Sequence, residues 1–198
     1  MLTKMEKQID FYFDVVSPYS FIASKLIEEL AQRTKAELCW KPFLLGGVFK
    51  AVGTVNTPGL TPVKKPYLLK DIKRLSEYYK FTMNMPPDFP VRTVLAMRVL
   101  SGLNTKEISQ AAHKLFNAYW EENLNIADPE VVSNLIGNEA VERAGEQEVK
   151  DVLFRTTEEA VKRGAYGAPV FFVGEEMFFG HDRLHLLEQY LLNVKQYA

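Results

Sequence analysis

The sequence predicts an α/β fold in which an amino-terminal βαβ unit and a carboxy-terminal ββα unit flank a large all-helical insertion. Three observations carry this. IDFYFD at 9–14 is an aromatic, β-branched run that leads into Ser17-Pro18 and an apolar stripe at helical spacing. PVFFV, GEE and MFFG, from Pro169 to Gly180, read as two short strands joined by a turn. Between these ends, prolines and short polar loops separate helical patterns with no comparable strand signal.

Residues 9–14 alternate in the manner of a half-buried strand. Serine suits a helix N-cap and proline the first helical position, so Ser17-Pro18 opens a helix carrying Ile22, Leu26, Ile27 and Leu30. A second strand at about 36–43 completes the βαβ unit, whose strands are expected to run parallel with a right-handed crossover. Pro58, Pro62 and Pro66 interrupt the chain before helices expected at Tyr67–Tyr79, Thr93–Leu103 and Lys106–Glu121. Two more follow, Pro129–Ile136 capped by Asp128 and Glu148–Arg163 stopped by Gly164. Pro169 takes the first position of the hairpin, and a last helix carries Leu184, Leu187, Tyr190 and Leu191 with Asp182 as its N-cap. This order is that of a thioredoxin fold, with residues 1–43 and 165–198 forming the thioredoxin domain and 44–164 the inserted helical domain.

Composition narrows the function classes. Apolar residues make up 47% of the 198 and charged residues 25%, which is ordinary for a globular chain with a real core. A net charge of −1 with no dense Lys/Arg block removes the long-range attraction on which nucleic-acid binding depends. No stretch approaches the roughly 20 apolar residues of a membrane span, and MLTKMEKQIDFYFD has no signal-peptide pattern, so the expectation is a cytoplasmic protein. Cys39 is the single cysteine, so an intrachain disulfide is impossible; in the apolar context AELCW it is read as a core residue.

Three places can carry chemistry. Ser17 faces a helix start, where backbone N–H groups and the helix dipole favour an anion such as a thiolate; the alternative is a plain N-cap. Gly167-Ala168-Pro169 precedes an apolar strand, and a cis Ala168–Pro169 bond would turn the Ala168 backbone toward an extended ligand, although local sequence does not choose the isomer. In Gly180-His181-Asp182-Arg183, Asp182 could bind an ammonium and Arg183 a carboxylate, against the alternative of an N-cap beside a solvated arginine. His181 and His185 are read as a solvated pair rather than a metal site. Lys64 and Tyr67 could reach a ligand from the insertion, whereas Arg92 and Arg98 are read as solvated or ion-paired.

Taken together, FYFDVVSPYSF at 11–21, YGAPVFFVGEEMFFGHDRLHLLE at 166–188 and the P-x-K-x-x-Y-x-x-x-D run from Pro62 to Asp71 resemble 2-hydroxychromene-2-carboxylate isomerases and kappa-class glutathione transferases, relatives of the bacterial disulfide oxidoreductases. The resemblance implies a usually dimeric protein that binds glutathione along the cis-proline strand. It implies that Ser17 hydrogen-bonds the glutathione sulfur, that the Ala168 backbone beside Pro169 pairs with the cysteinyl part, and that Asp182 and Arg183 recognise the γ-glutamyl end, with Pro169 and His181 also among the glutathione-binding residues. Lys64 falls on a lysine facing the site, and either Asn56 or Thr54 fills a further contact in GTVNTPG. The implied activity is glutathione-dependent isomerisation of a small aromatic carboxylate. The alternatives are a kappa-type transferase and a non-catalytic binder of glutathione or peptide. Disulfide exchange lacks its thiols, because serines occupy both positions of the pair, Ser17 and Ser20.

Overall fold

The computed structural model describes residues 7–54 and 62–193 of the chain. Within them the order is β1 (Gln8–Phe13), α1 (Pro18–Thr34), β2 (Glu37–Pro42), α2 (Leu45–Ala51), α3 (Lys64–Tyr79), α4 (Val94–Ser101), α5 (Ile108–Trp120), α6 (Pro129–Ile136), α7 (Asn138–Arg143), α8 (Gln147–Lys162), β3 (Val170–Val173), β4 (Glu176–Phe179), a 3-10 turn (His181–Arg183) and α9 (Leu184–Asn193). The four strands form one sheet in the order β2-β1-β3-β4. β1 runs parallel to β2, with Gln8 opposite Glu37 and Phe13 opposite Pro42. β3 is antiparallel to both β1 and β4, pairing Asp10 with Phe172 and Val170 with Phe179. This is the expected thioredoxin fold with its helical insertion.

β1 is central, and that changes its expected character. Ile9, Phe11 and Phe13 point to one face, where they meet Trp40, Phe171 and apolar residues of α1, α4, α5 and α9. Tyr12 points to the other, with Phe43, Phe172, Val48 of α2 and Ala160 of α8. Phe11, Tyr12 and Phe13 are all fully buried, so the strand is covered on both faces rather than half-buried. Each such side chain contributes about 1.5–3 kcal/mol of burial free energy. The insertion shares this core: Phe116 of α5 stacks near Phe13 with ring centroids 5.6 Å apart, and the Trp120 indole N–H donates to the Val15 carbonyl at 2.8 Å.

Local signals placed several helices closely. α6 spans Pro129–Ile136 with the Asp128 carboxylate accepting from the Glu130 N–H, as its Asp-Pro start predicts. α8 ends at Lys162, before Gly164 at φ +97°. Other elements depart from expectation. α2 and α7 were not expected, and Pro66 lies in the first turn of α3 rather than before it, a position where a proline sacrifices no intrahelical bond. Asp182 is not an N-cap; it lies inside the 3-10 turn that follows Gly180, whose side-chain cap is absent.

Candidate functional site

Ser17 occupies the N-cap of α1 with extended backbone, and its hydroxyl oxygen accepts from the Ser20 N–H at 3.1 Å. Its own N–H donates to the Asp14 carbonyl at 3.0 Å, which fixes the turn between β1 and α1. The hydroxyl proton is directed across the sheet edge, to the Ala168 carbonyl at 3.1 Å. The structure therefore joins two sequence candidates 151 residues apart by a hydrogen bond. The Ala168–Pro169 bond is cis.

These residues line a cleft of about 820 Å³, bounded also by α2, α3, the start of α4 and the Gly180–Asp182 turn. Its walls are mainly apolar, with Val16, Leu44, Phe49, Val91, Tyr166 and Phe179 among them. Gly167 lets the Phe179 ring approach closely at one wall: a Cβ there would lie 3.0 Å from it, so the ring would have to shift. Gly180 is required at a second wall, since its φ is +96°; a Cβ there would also meet the Asp182 carboxylate at 2.6 Å.

Of the expected contacts, Ser17, Ala168, Pro169, His181 and Asp182 share this cleft, as does Thr54. Asn56 lies outside the described residues. Arg183 is not a wall residue; its guanidinium pairs with the Asp182 carboxylate at 2.8 Å, both side chains being half-exposed. Lys64 is exposed on the first turn of α3 and is not a wall residue either, though Leu68 and Asp71, four and seven residues on along one helix face, are. Tyr67 is 61% exposed and is not a wall residue. Arg92, expected to be solvated or ion-paired, is exposed at the cleft wall.

His181 is not a solvated partner of His185. Its ring is buried and lies parallel to the Tyr19 ring at a centroid distance of 5.2 Å, with Tyr79 edge-on at 6.5 Å, while His185 is exposed. Burial lowers the His181 pKa, against the pull of Asp182 and Asp71, and so favours the neutral imidazole at the wall. Tyr19 in turn donates to Asp71 at 3.0 Å, tying α1 to α3 across the cleft. Burial and that carboxylate raise the Tyr19 pKa, keeping it a hydrogen-bond donor.

Sequence reasoning missed Asp14. It is fully buried just after β1 and is among the residues that bound the cleft. It accepts from the Leu45 N–H at 2.9 Å, the Val16 N–H at 3.1 Å and the Thr93 hydroxyl at 3.1 Å, gathering the starts of α2 and α4 around Ser17. Burial raises its pKa to about 6, the three donors only partly opposing. The available signal was an aspartate inside an aromatic strand run, three residues before Ser17.

Cys39 is half-buried on β2 rather than in the core, and its thiol pKa is raised by burial and by Asp10 and Glu37. It takes no part in the cleft. Among the described residues, no group of three His, Cys, Asp or Glu side chains comes together to hold a metal, and no helix is long and apolar enough to cross a membrane.

Comparison with known proteins shows the family and the fold. Residues 8–192 match the family described as a DSBA-like thioredoxin domain. The chain is 31% identical over 205 residues to glutathione S-transferase kappa 1 of Caenorhabditis elegans, with 93% of this chain and 90% of that protein covered. It is 30% identical over 196 residues to 2-hydroxychromene-2-carboxylate isomerase of Pseudomonas putida, covering 91% and 92%. A solved 2-hydroxychromene-2-carboxylate isomerase superposes with a TM-score of 0.84 at 26% identity, over 96% of this chain and 97% of that one. The chain belongs to the DSBA-like thioredoxin-domain family, with relatives named as kappa-class glutathione transferases and 2-hydroxychromene-2-carboxylate isomerases.

Proposed function

We propose that the protein is a glutathione-dependent isomerase of the 2-hydroxychromene-2-carboxylate isomerase type. The observation that carries this is the Ser17 hydroxyl, held on the Ala168 carbonyl at the N-terminus of α1 and facing a largely apolar cleft. These groups fit a tripeptide thiol. A buried hydroxyl at a helix start suits a thiolate, a strand-edge carbonyl suits a peptide N–H, and the Asp182–Arg183 pair suits an ammonium and a carboxylate. Bound glutathione would supply a nucleophilic sulfur able to add reversibly to a conjugated double bond and so permit rotation about it.

The protein's own part is to bind, orient and acidify. Ser17 would donate to the sulfur rather than attack, and the α1 N-terminus would favour its anionic form. The apolar wall of Phe49, Val91 and Phe179 would hold an aromatic ring and exclude water, with Arg92 at the wall to receive the substrate carboxylate. Neutral His181 and the Tyr19 hydroxyl would offer hydrogen bonds without adding charge. The homodimer implied by the resemblance and the cytoplasmic location expected from the sequence belong to the same proposal.

The test is to incubate the protein with glutathione and 2-hydroxychromene-2-carboxylate and follow spectrum and mass. Glutathione-dependent spectral change at unchanged substrate mass is expected, and Ser17→Ala should slow it. Absence of turnover with glutathione present overturns the reading. A kappa-type transferase is the second reading, favoured by the 31% identity to the nematode protein. It predicts instead a glutathione conjugate of higher mass with an electrophile such as a chlorodinitrobenzene. Binding without either product identifies a non-catalytic glutathione protein.

A further inference from the structure

From the Ser17–Ala168 hydrogen bond we infer that this cleft acidifies thiols carrying an adjacent amide N–H more strongly than thiols that lack it. The inference rests on glutathione being the ligand. A serine hydroxyl has one proton, and here it is committed to the Ala168 carbonyl at 3.1 Å, while the oxygen is held by the Ser20 N–H. Ser17 is 4% exposed. To donate to a thiolate, the hydroxyl must turn its proton away from Ala168 while the Ser20 N–H keeps the oxygen in place. Among the described residues Ser17 is the donor recorded on the Ala168 carbonyl, so this turn leaves the carbonyl without a partner once a ligand has excluded water.

A cysteinyl N–H lying along the Ala168 edge removes that penalty by taking the carbonyl as the hydroxyl leaves it. Peptide recognition and thiol activation are thereby one exchange of donors on one acceptor. A thiol without the N–H leaves the hydroxyl where it is, and its sulfur keeps only the weaker help of the helix N-terminus. Ala168 is the positioning residue in this exchange, acting through its backbone.

The experiment measures the thiol pKa of two bound ligands by ultraviolet thiolate absorbance, each against its own value free in solution. One ligand is glutathione; the other is its depsipeptide, in which an ester oxygen replaces the cysteinyl N–H. Calorimetry supplies the affinities, and both ligands are run on the wild type and on Ser17→Ala. On the wild type, bound glutathione should hold roughly tenfold more thiolate, below its pKa, than the bound depsipeptide, and the depsipeptide should bind about tenfold more weakly, the worth of one exchanged hydrogen bond in each case. Ser17→Ala should bring glutathione down to the depsipeptide's level and leave the depsipeptide unchanged.

Equal acidification of the two ligands by the wild type overturns the inference, as does a fall in depsipeptide acidification in Ser17→Ala. Loss of depsipeptide binding far beyond tenfold overturns it too, because more than one hydrogen bond would then be at stake. If glutathione itself does not bind, the glutathione reading of the site fails and takes the inference with it. If glutathione binds and is acidified through Ser17 regardless of the N–H, only the coupling fails.

Discussion

Replacing Asp14 by asparagine should alter stability in a way that depends on pH. The carboxyl is fully buried, and burial pushes its pKa up to about 6 from an ordinary 3.8. At about 1.4 kcal/mol per unit, the rise of roughly two units amounts to about 3 kcal/mol. The sign follows from proton binding. Between about pH 4 and 6 the native carboxyl holds its proton while the unfolded one has lost it, so the native state binds more protons and stability falls as pH rises through that window. The full contribution is present below pH 4 and is lost above pH 6.

Asparagine carries no such titration, but it exchanges one acceptor for an NH₂ group. With its oxygen on the Leu45 and Thr93 side, the amide would face the Val16 N–H and lose that bond, costing about 1 kcal/mol. Urea unfolding of both proteins at a series of pH values isolates the group, because every other carboxylate is common to both. The wild type should be the more stable by about 1 kcal/mol near pH 3, and the variant by about 2 kcal/mol near pH 7.5. A difference that stays constant with pH, or a wild type that gains on the variant as pH rises, refutes the account of Asp14 as a carboxyl disfavoured by burial.

Two further perturbations bear on the fold. The Ser20 hydroxyl is fully buried and has no hydrogen-bond partner among the described residues, so Ser20→Ala should raise stability by about 1 kcal/mol and Tm by about 2–4 °C, read by calorimetry; a fall of similar size would show that the hydroxyl is satisfied. Arg163 donates to Asp10 at 2.8 Å and to the Gly174 carbonyl at 2.7 Å, and its guanidinium lies 3.9 Å from the Phe172 ring centroid. Arg163→Ala should therefore cost about 2–4 kcal/mol in urea unfolding, largely by leaving the Asp10 carboxylate, 14% exposed, without its counter-charge and with the Gln8 amide at 2.7 Å as its remaining side-chain donor among the described residues. A loss below about 1 kcal/mol would show that water replaces the arginine there.

What could be read from the sequence was local. α6 and α1 begin where Asp128-Pro129 and Ser17-Pro18 say they should, because capping is settled within a few residues of chain. The hairpin from Val170 to Phe179 follows from its turn and its aromatic runs in the same way. α2 was not legible. Its first N–H is held by Asp14, 31 residues earlier, and that tertiary partner outweighs the Gly46-Gly47 pair that argues against a helix.

The sequence by itself determined the thioredoxin order of elements, the absence of a second cysteine, and the serine at the start of α1. Tertiary structure decided what those groups meet. It buried His181 against Tyr19, set Lys64 outside the cleft wall on the same face of α3 as Asp71, and put Asp14 beneath Ser17. Capping and strand periodicity are short-range and written residue by residue, whereas the environment of a titrating or hydrogen-bonding group depends on segments brought together only by packing. The Ser17 hydroxyl bonded to a carbonyl 151 residues away is the plainest instance.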